Sequence, residues 1–128
     1  MPQLDAIGII AADLDASVAF YRRLGLEFTA FGEGHQEATT TGGFRLMLDS
    51  VATIESFSTY EASSGGRNVA LAFGCASPAE VDALFAAVTA AGATVKTPPF
   101  DAPWGQRYAT VHDPDMNPVD LYAPLAGD

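Results

Sequence analysis

Residues 104–122 read WGQRYATVHDPDMNPVDLY, and this stretch decides the fold. The DPDMN segment at 113–117 is typical of a tight turn, because proline fixes φ while Asp and Asn side chains bond neighbouring amides. Apolar and polar residues alternate on both sides of the turn, which predicts a β-hairpin with two chemically different faces. One face is apolar, with Ala109, Val111, Val119 and Leu121. The other is a plausible pocket wall, with Tyr108, Thr110, His112, Asp120 and Tyr122.

Composition limits the size of the protein and its partners. The chain has 128 residues, of which 48% are hydrophobic, enough for one compact domain or two small fused modules that share a core. Its 16 acidic and 6 basic residues give a formal net charge of −10, so nucleic acid is not an expected partner. The acidity would attract a cationic ligand, although such a charge more often keeps a protein in solution.

The sequence shows no sign of export or of membrane insertion. No apolar run approaches the ~20 residues of a membrane-spanning helix. The N-terminus lacks a basic segment followed by an apolar one. Cys75 is the single cysteine and cannot form an internal disulfide. We therefore expect a cytoplasmic protein with no membrane partner.

Two successive segments repeat the same order of predicted elements, βαβββ. In each segment a strand leads to a capped helix, with Asp13 as the first N-cap and Ser77 as the second. The SSGG stretch at residues 63–66 is typical of a flexible loop and is the best candidate boundary. The sequence therefore predicts an α+β fold made of two modules, covering about residues 1–62 and 66–124.

Breakers and turns set the predicted limits of the strands. Pro98-Pro99 is expected to end a strand and to begin a loop that carries Phe100 and Trp104. Residues 50–66 show no regular pattern. Outside the closing hairpin, the predicted strands cover residues 4–11, 26–32, 36–41, 44–49, 68–74 and 93–97.

The chain resembles the vicinal oxygen chelate superfamily, which includes glyoxalase I, extradiol dioxygenases, fosfomycin-resistance enzymes and bleomycin-resistance proteins. ADLDASVAFY at 12–21, followed by LG at 24–25, is similar to the family's D-L-x-x-S-x-x-F-Y-x-x-x-L-G helix. Residues 113–121 are similar to its D-P-D-G-N-x-x-E-L hairpin. The resemblance implies two βαβββ modules that form an open half-barrel cleft with the helices outside. Met116 replaces the family's glycine, at a cost of about 1 kcal/mol if φ is positive there.

The resemblance also implies where a metal would bind, on the first and fourth strands of each module. The corresponding positions are Ala6, Met47, Asn68 and Asp120. Only Asp120 is a good hard ligand, since Ala6 has no donor and Met47 offers a soft thioether. We therefore expect no metal, no other cofactor and no catalytic residue. The alternative is an unorthodox site built from Asp49, His112 and Asp120.

Without a metal, aromatic rings and a few polar groups suit a planar or peptide-like organic ligand. Arg45 and Asp120 either pair with each other or contact the ligand separately, and Trp104 either lines the pocket or covers the core. Phe57 and Tyr60 are more typical of the core or of a dimer contact. The predicted ligand-binding residues are Arg45, Met47, Asn68, Trp104, Tyr108, Thr110, His112, Asp120 and Tyr122.

Three classes of function remain open. The sequence favours a homodimeric protein that binds or sequesters a small aromatic or cationic molecule, similar to the family's metal-free members that bind bleomycin or mitomycin. The second is a lyase, isomerase or dioxygenase with the unorthodox metal site or with acid–base chemistry by His112 and Asp120. The third is a structural or regulatory domain with a vestigial cleft.

Overall fold

A computed structural model describes residues 2–60 and 69–125 of the chain. The chain divides into two compact units, with the division between residues 64 and 65. Each unit contains one open four-stranded sheet in the order βαβββ, so the predicted α+β class and its repeated modules are confirmed. The loop expected at residues 63–66 lies outside the described residues. Within the described ranges, no helix has the length and apolar character needed to span a membrane.

The first unit places its opening strand at the edge of the sheet, beside its last strand. The strand order is β1-β4-β3-β2, with β1 parallel to β4 and the other neighbours antiparallel. The elements are β1 (Ala6–Ala11), α1 (Leu14–Arg23), β2 (Thr29–Ala30), β3 (His35–Thr39), β4 (Arg45–Ser50) and a short α2 (Val51–Glu55).

Local chemistry explains the start and end of α1. The Asp13 carboxylate accepts a hydrogen bond from the amide of Ala16 at 3.1 Å, which satisfies an N-terminal donor as predicted. The helix ends before Gly25, whose φ of 96° is a conformation that glycine adopts without a steric cost. Val18, Phe20 and Tyr21 are buried, and α1 contacts β4, so this helix covers one face of the first sheet.

The second unit repeats this topology. Its strand order is β5-β8-β7-β6, with β5 parallel to β8. The Ser77 hydroxyl caps α3 by accepting from the amide of Glu80 at 3.2 Å, and Pro78 occupies the first turn. The elements are β5 (Leu71–Gly74), α3 (Pro78–Ala90), β6 (Val95–Ala102), β7 (Gln106–His112) and β8 (Pro118–Pro124).

The core of the second unit lies between α3 and one face of β7 and β8. The apolar hairpin residues are fully buried there, as the alternation predicted: Ala109, Val111, Val119 and Leu121. Val81 and Val88 of α3 are buried as well, and α3 contacts both strands. Burial of this face fixes the register of the hairpin, because a slip of one residue would exchange the two faces. The mixed face therefore lies on the side of the sheet away from α3.

The expected break at Pro98-Pro99 is wrong, because β6 continues through both prolines. In the strand order β6 is an edge strand, where a residue without an amide hydrogen is tolerated. The register with β7 also shifts between Thr97 and Phe100, which places the prolines at an irregularity of the ladder. Phe100 is therefore a strand residue opposite Tyr108 and not part of a loop.

Two further expectations for the first unit need correction. The strand predicted over residues 26–32 is reduced to two residues of β2. The stretch after residue 50 begins with α2, which the sequence pattern did not indicate. Its N-cap is Ser50, whose hydroxyl accepts from the amide of Thr53 at 3.2 Å. The other strands begin or end a few residues from their predicted boundaries, because the ends of an element are the part that sequence patterns define least.

Candidate functional site

Asp113 builds the turn that holds the closing hairpin in register. Its carboxylate is 2% exposed and accepts from the amides of Asp115 at 2.9 Å and Asn117 at 2.8 Å. The side-chain amide of Asn117 also donates to it, at 2.9 Å. Met116 follows with a φ of 67°. The turn predicted from DPDMN is thus confirmed, and the condition for strain at Met116 is met.

Tyr108, Thr110 and Asp120 form the centre of the mixed face on β7 and β8. Thr110 lies directly opposite Asp120, and Tyr108 lies opposite Tyr122. The Tyr108 hydroxyl donates a short hydrogen bond to one Asp120 oxygen, and the Thr110 hydroxyl donates to the other at 2.7 Å. Both carboxylate oxygens of Asp120 are therefore held by neutral donors.

The Tyr108 phenol is held in its neutral form. Burial, followed by the hydrogen bond to Asp120, raises the pKa of Tyr108 to about 12. Both causes act against the phenolate, since burial disfavours charge and the neighbouring carboxylate repels it. Tyr108 therefore presents a neutral ring and a hydroxyl oxygen whose hydrogen is already committed to Asp120.

Three aromatic rings cluster beside this carboxylate. Trp104 and Tyr108 have ring centroids 5.5 Å apart at 80°, and Phe100 lies 6.0 Å from Trp104 and 6.4 Å from Tyr108. The indole N–H donates to the side-chain oxygen of Gln106 at 2.9 Å. Trp104 is 59% exposed, so more than half of this side chain lies at the surface, beside the mixed face. Edge-to-face contacts hold these rings in place.

The remaining predicted residues of the second unit flank this centre, and their side chains have other partners. His112 contacts the Thr94 hydroxyl through Nδ1 at 3.0 Å. Tyr122 lies over β5, where a Cβ added at Gly74 would be 3.3 Å from the Tyr122 hydroxyl. Asn68 lies outside the described residues. The sequence therefore identified the face but not which of its residues interact.

The first unit has a mixed face of its own, with a row of charges. Sequence reasoning named Arg45 and Asp49 of this row as candidates but missed His35 and Glu37. His35 of β3 lies opposite Asp49 of β4. The His35 Nδ1 and the Asp49 Oδ1 are 2.5 Å apart. The other ring nitrogen contacts Glu37 at 2.7 Å. Arg45 continues the row, with bonds to Glu37 at 2.8 Å and to Asp5 at 2.7 Å. We name this row, Asp5–Arg45–Glu37–His35–Asp49, the charged row.

Of the two alternatives for Arg45 and Asp120, the structure does not show their pairing, because Arg45 bonds to Glu37 and Asp5 within its own unit. Hydrogen bonds to Asp49 and Glu37 raise the pKa of His35 above its usual 6.5. His35, followed by Arg45, lowers the pKa of Glu37. The alternation of polar side chains at residues 35, 37 and 39 was the signal that could have identified this face.

Phe57, which was expected in the core or in a dimer contact, is 73% exposed and is not a core residue.

Family comparison agrees with this architecture. The model of the Glyoxalase/Bleomycin resistance protein/Dioxygenase superfamily matches residues 3–121. The chain belongs to this superfamily. No protein of curated function matches the sequence.

Several solved structures share the fold of this chain. A glyoxalase/bleomycin resistance protein/dioxygenase from Nocardioides is 28% identical with a TM-score of 0.76, covering 100% of this chain and 87% of its own. A superfamily enzyme from Burkholderia phytofirmans is 22% identical with a TM-score of 0.82, covering 97% and 100%. TioX from Micromonospora is 23% identical with a TM-score of 0.67, again covering 97% and 100%. At these identities the last two show the fold alone.

The resemblance implies four positions for metal ligands, three of which lie in the described part of the chain. The residues at these three positions do not suit a metal ion. Ala6 has no donor atom, and Met47 offers a thioether that packs near Gly8. Both oxygens of Asp120 already accept hydrogen bonds. Within residues 2–60 and 69–125, no three His, Cys, Asp or Glu side chains are grouped to hold a metal ion. In the charged row, the carboxylates lie at opposite nitrogens of His35 and do not converge on one point.

Proposed function

We propose that this superfamily member binds and sequesters a small organic molecule with a planar aromatic part, such as an antibiotic, without a resident metal. The observation that carries this proposal is the aromatic cluster of Phe100, Trp104 and Tyr108 beside Asp120, with Trp104 59% exposed. Exposed aromatic rings next to a polar anchor are typical of surfaces that bind flat ligands. The superfamily's name includes bleomycin resistance proteins, which supports a role in sequestration.

The free energy available from covering Trp104 is large enough to matter. Burying its exposed part removes roughly 150 Å² from water, on the order of 3 kcal/mol before the cost of association. Its ring is already positioned by Phe100, Tyr108 and Gln106, so binding costs little additional ordering of this side chain.

The acid–base alternative has less support. A general base must lie within hydrogen-bonding reach of the group it serves, and a His–Asp pair needs direct contact between its members. His112 contacts Thr94, whereas Asp120 contacts Tyr108 and Thr110. Binding therefore explains the described contacts better than catalysis by this pair.

We also propose that the protein forms a homodimer. Phe57 and Val69 are 73% and 62% exposed, and apolar side chains of this kind are what an interface would cover. Sedimentation velocity tests the proposal, with a dimer expected at micromolar concentration and a monomer contradicting it.

The binding proposal is tested through Trp104, which is the single tryptophan of the chain. Titration with neutral 2-naphthalenemethanol is expected to change its fluorescence saturably and to raise the melting temperature, because a ligand of the native state stabilises it. The variant Tyr108→Ala is expected to weaken this binding at least five-fold, whereas Phe31→Ala, which removes an exposed aromatic ring from the first unit, serves as the matched control. A linear, non-saturating fluorescence change, with no shift in melting temperature, would contradict the proposal.

A further inference from the structure

We infer that the ligand of this face carries an ammonium or a similar cationic hydrogen-bond donor next to its aromatic part, and that Asp120 is the partner of that donor. The inference rests on the proposed function of the same face and specifies its ligand class. It follows from counting which hydrogen-bond donors and acceptors of the face are already used.

The hydroxyl donors around Asp120 are committed. Tyr108 and Thr110 each have a single hydroxyl hydrogen, and both are given to Asp120. Thr110 is 5% exposed, so it positions the carboxylate and does not meet a ligand. Tyr108 keeps only acceptor capacity at its oxygen, and its pKa of about 12 keeps that oxygen neutral. The centre of the face therefore offers a ligand acceptors.

The other donors of the mixed face have other partners or lie farther from Asp120. The ring of His112 stands two residues from Thr110, roughly 7 Å along β7, and its Nδ1 contacts the Thr94 hydroxyl. The Trp104 N–H is bonded to Gln106. The side-chain amide nitrogen of Gln106 stands two residues from Tyr108 and four from Thr110, roughly 7 Å and 13 Å along β7, so this donor lies beside the rings and away from Asp120. The Tyr122 hydroxyl lies over Gly74 of β5, on the far side of β8 from Tyr108.

The negative charge of Asp120 has no cation among its described hydrogen-bond partners. Arg107 lies on the opposite face of β7 and is bound by Asp82 at 3.0 Å and Asp101 at 3.1 Å. Lys96 lies on β6, two strands from β8 and roughly 10 Å away across the sheet.

A ligand cation would complete this arrangement. A carboxylate has about four lone-pair sites, and the two hydroxyls use two of them. An ammonium group can donate to the remaining sites while its charge meets the electron-rich faces of Tyr108 and Trp104. A ligand carboxylate has only acceptor oxygens, and these would face the acceptor oxygens of Asp120 and Tyr108. Its negative charge would also be repelled by that of Asp120. The face therefore selects for a cation and against an anion.

Three probes with the same ring system test the inference: 2-naphthylmethylamine, 2-naphthalenemethanol and 2-naphthoate, titrated at 0.5 M salt to screen the long-range field of the acidic protein. The amine is expected to bind at least ten-fold tighter than the alcohol, and the carboxylate more weakly than either. Asp120→Asn is expected to weaken the amine about ten-fold and to leave the alcohol within two-fold. Glu33→Gln, which removes one charge from an exposed turn of the first unit, is the matched control and leaves all three unchanged.

The outcomes separate this inference from the proposed function. If the alcohol binds but the amine binds no tighter, or Asp120→Asn affects both equally, the ligand class is overturned while binding at the aromatic cluster stands. If no probe binds, the proposed function itself fails. Should Asp120→Asn not fold, the ranking of the three probes on the unaltered protein decides alone.

Discussion

Met116 holds a backbone conformation that a side chain disfavours. It is the single non-glycine residue with a positive φ in residues 2–60 and 69–125, at 67°. The position is fixed from both sides, because its amide donates to the Asp113 carbonyl at 2.9 Å and Asn117 is bound by the Asp113 carboxylate. Removing the strain by relaxing the turn would break these bonds, so the turn retains the strained residue.

Replacing this residue with glycine should stabilise the protein. Met116→Gly is expected to raise the free energy of unfolding by about 1 kcal/mol, because glycine adopts positive φ without a Cβ clash. Met116→Ala keeps the clash and serves as the control, with a stability within about 0.5 kcal/mol of the original. Urea unfolding measures both variants. A Met116→Gly protein no more stable than Met116→Ala would show that φ at this position carries no cost.

For single residues, the sequence predicted the sheet face of a side chain better than its hydrogen-bond partners. Alternation placed Tyr108, Thr110 and Asp120 on one face, since the pleat of a strand alone decides this. The partners of Arg45 depend on a strand that is distant in sequence and on the residue before β1, which alternation cannot reveal. A long charged side chain can reach several charged groups, and only the folded backbone shows which of these groups lies within hydrogen-bonding distance.

The elements show where local rules succeed and where tertiary context overrides them. Both long helices begin at their predicted caps, since capping depends on residues within four positions. The strand β6 runs through two prolines that local rules treat as breakers, because its place at the edge of the sheet and its register shift relieve the need for their amides. The short α2 was missed because its cap, Ser50, lies inside a predicted loop region.

The turn before β3 packs against the start of α2, and Gly34 is the point of contact. A Cβ added there would overlap the Thr53 hydroxyl and lie 2.7 Å from that of Ser50. Gly34→Ala is therefore expected to lower the free energy of unfolding by roughly 1–3 kcal/mol, through displacement of the N-cap of α2. Gly42→Ala is the matched control, because nothing lies within 4 Å of its added Cβ. Equal stability of the two variants in urea would rule out this packing.

At the scale of the whole molecule, the charged row should make stability depend on pH. The raised pKa of His35 means that the imidazolium is favoured by folding, through Asp49 first and Glu37 second. Its contribution is fully present below the unfolded pKa of about 6.5 and is lost as pH rises through the folded pKa.

The variant His35→Gln isolates this contribution. The difference in unfolding free energy between the unaltered protein and His35→Gln is expected to be largest near pH 6 and to shrink toward pH 9, as measured by urea unfolding. Ring-proton NMR titration should independently give His35 a pKa above 6.5. A stability difference that stays constant from pH 6 to pH 9 would contradict the pairing in the charged row.

The fold of the whole chain could be read from two short motifs, because residues 12–25 and 113–121 combine caps, turns and alternation that few architectures accommodate together. Superfamily membership over residues 3–121 confirms it. The candidate site was only partly readable. The aromatic cluster needs Phe100 to lie on β6 opposite Tyr108, and the two prolines before Phe100 concealed that strand.

The prolines of β6 have one more consequence, for copies of the protein at high concentration. A free sheet edge offers a row of amide and carbonyl groups to which another chain's strand can add, and such addition is the first step toward fibrils. Successive amides of a strand point to opposite sides, so one of Pro98 and Pro99 removes an amide hydrogen from the outer edge of β6. The register shifts beside them interrupt the spacing that an incoming strand would need. We therefore expect these residues of β6 to hinder edge-to-edge pairing of this sheet between copies of the protein.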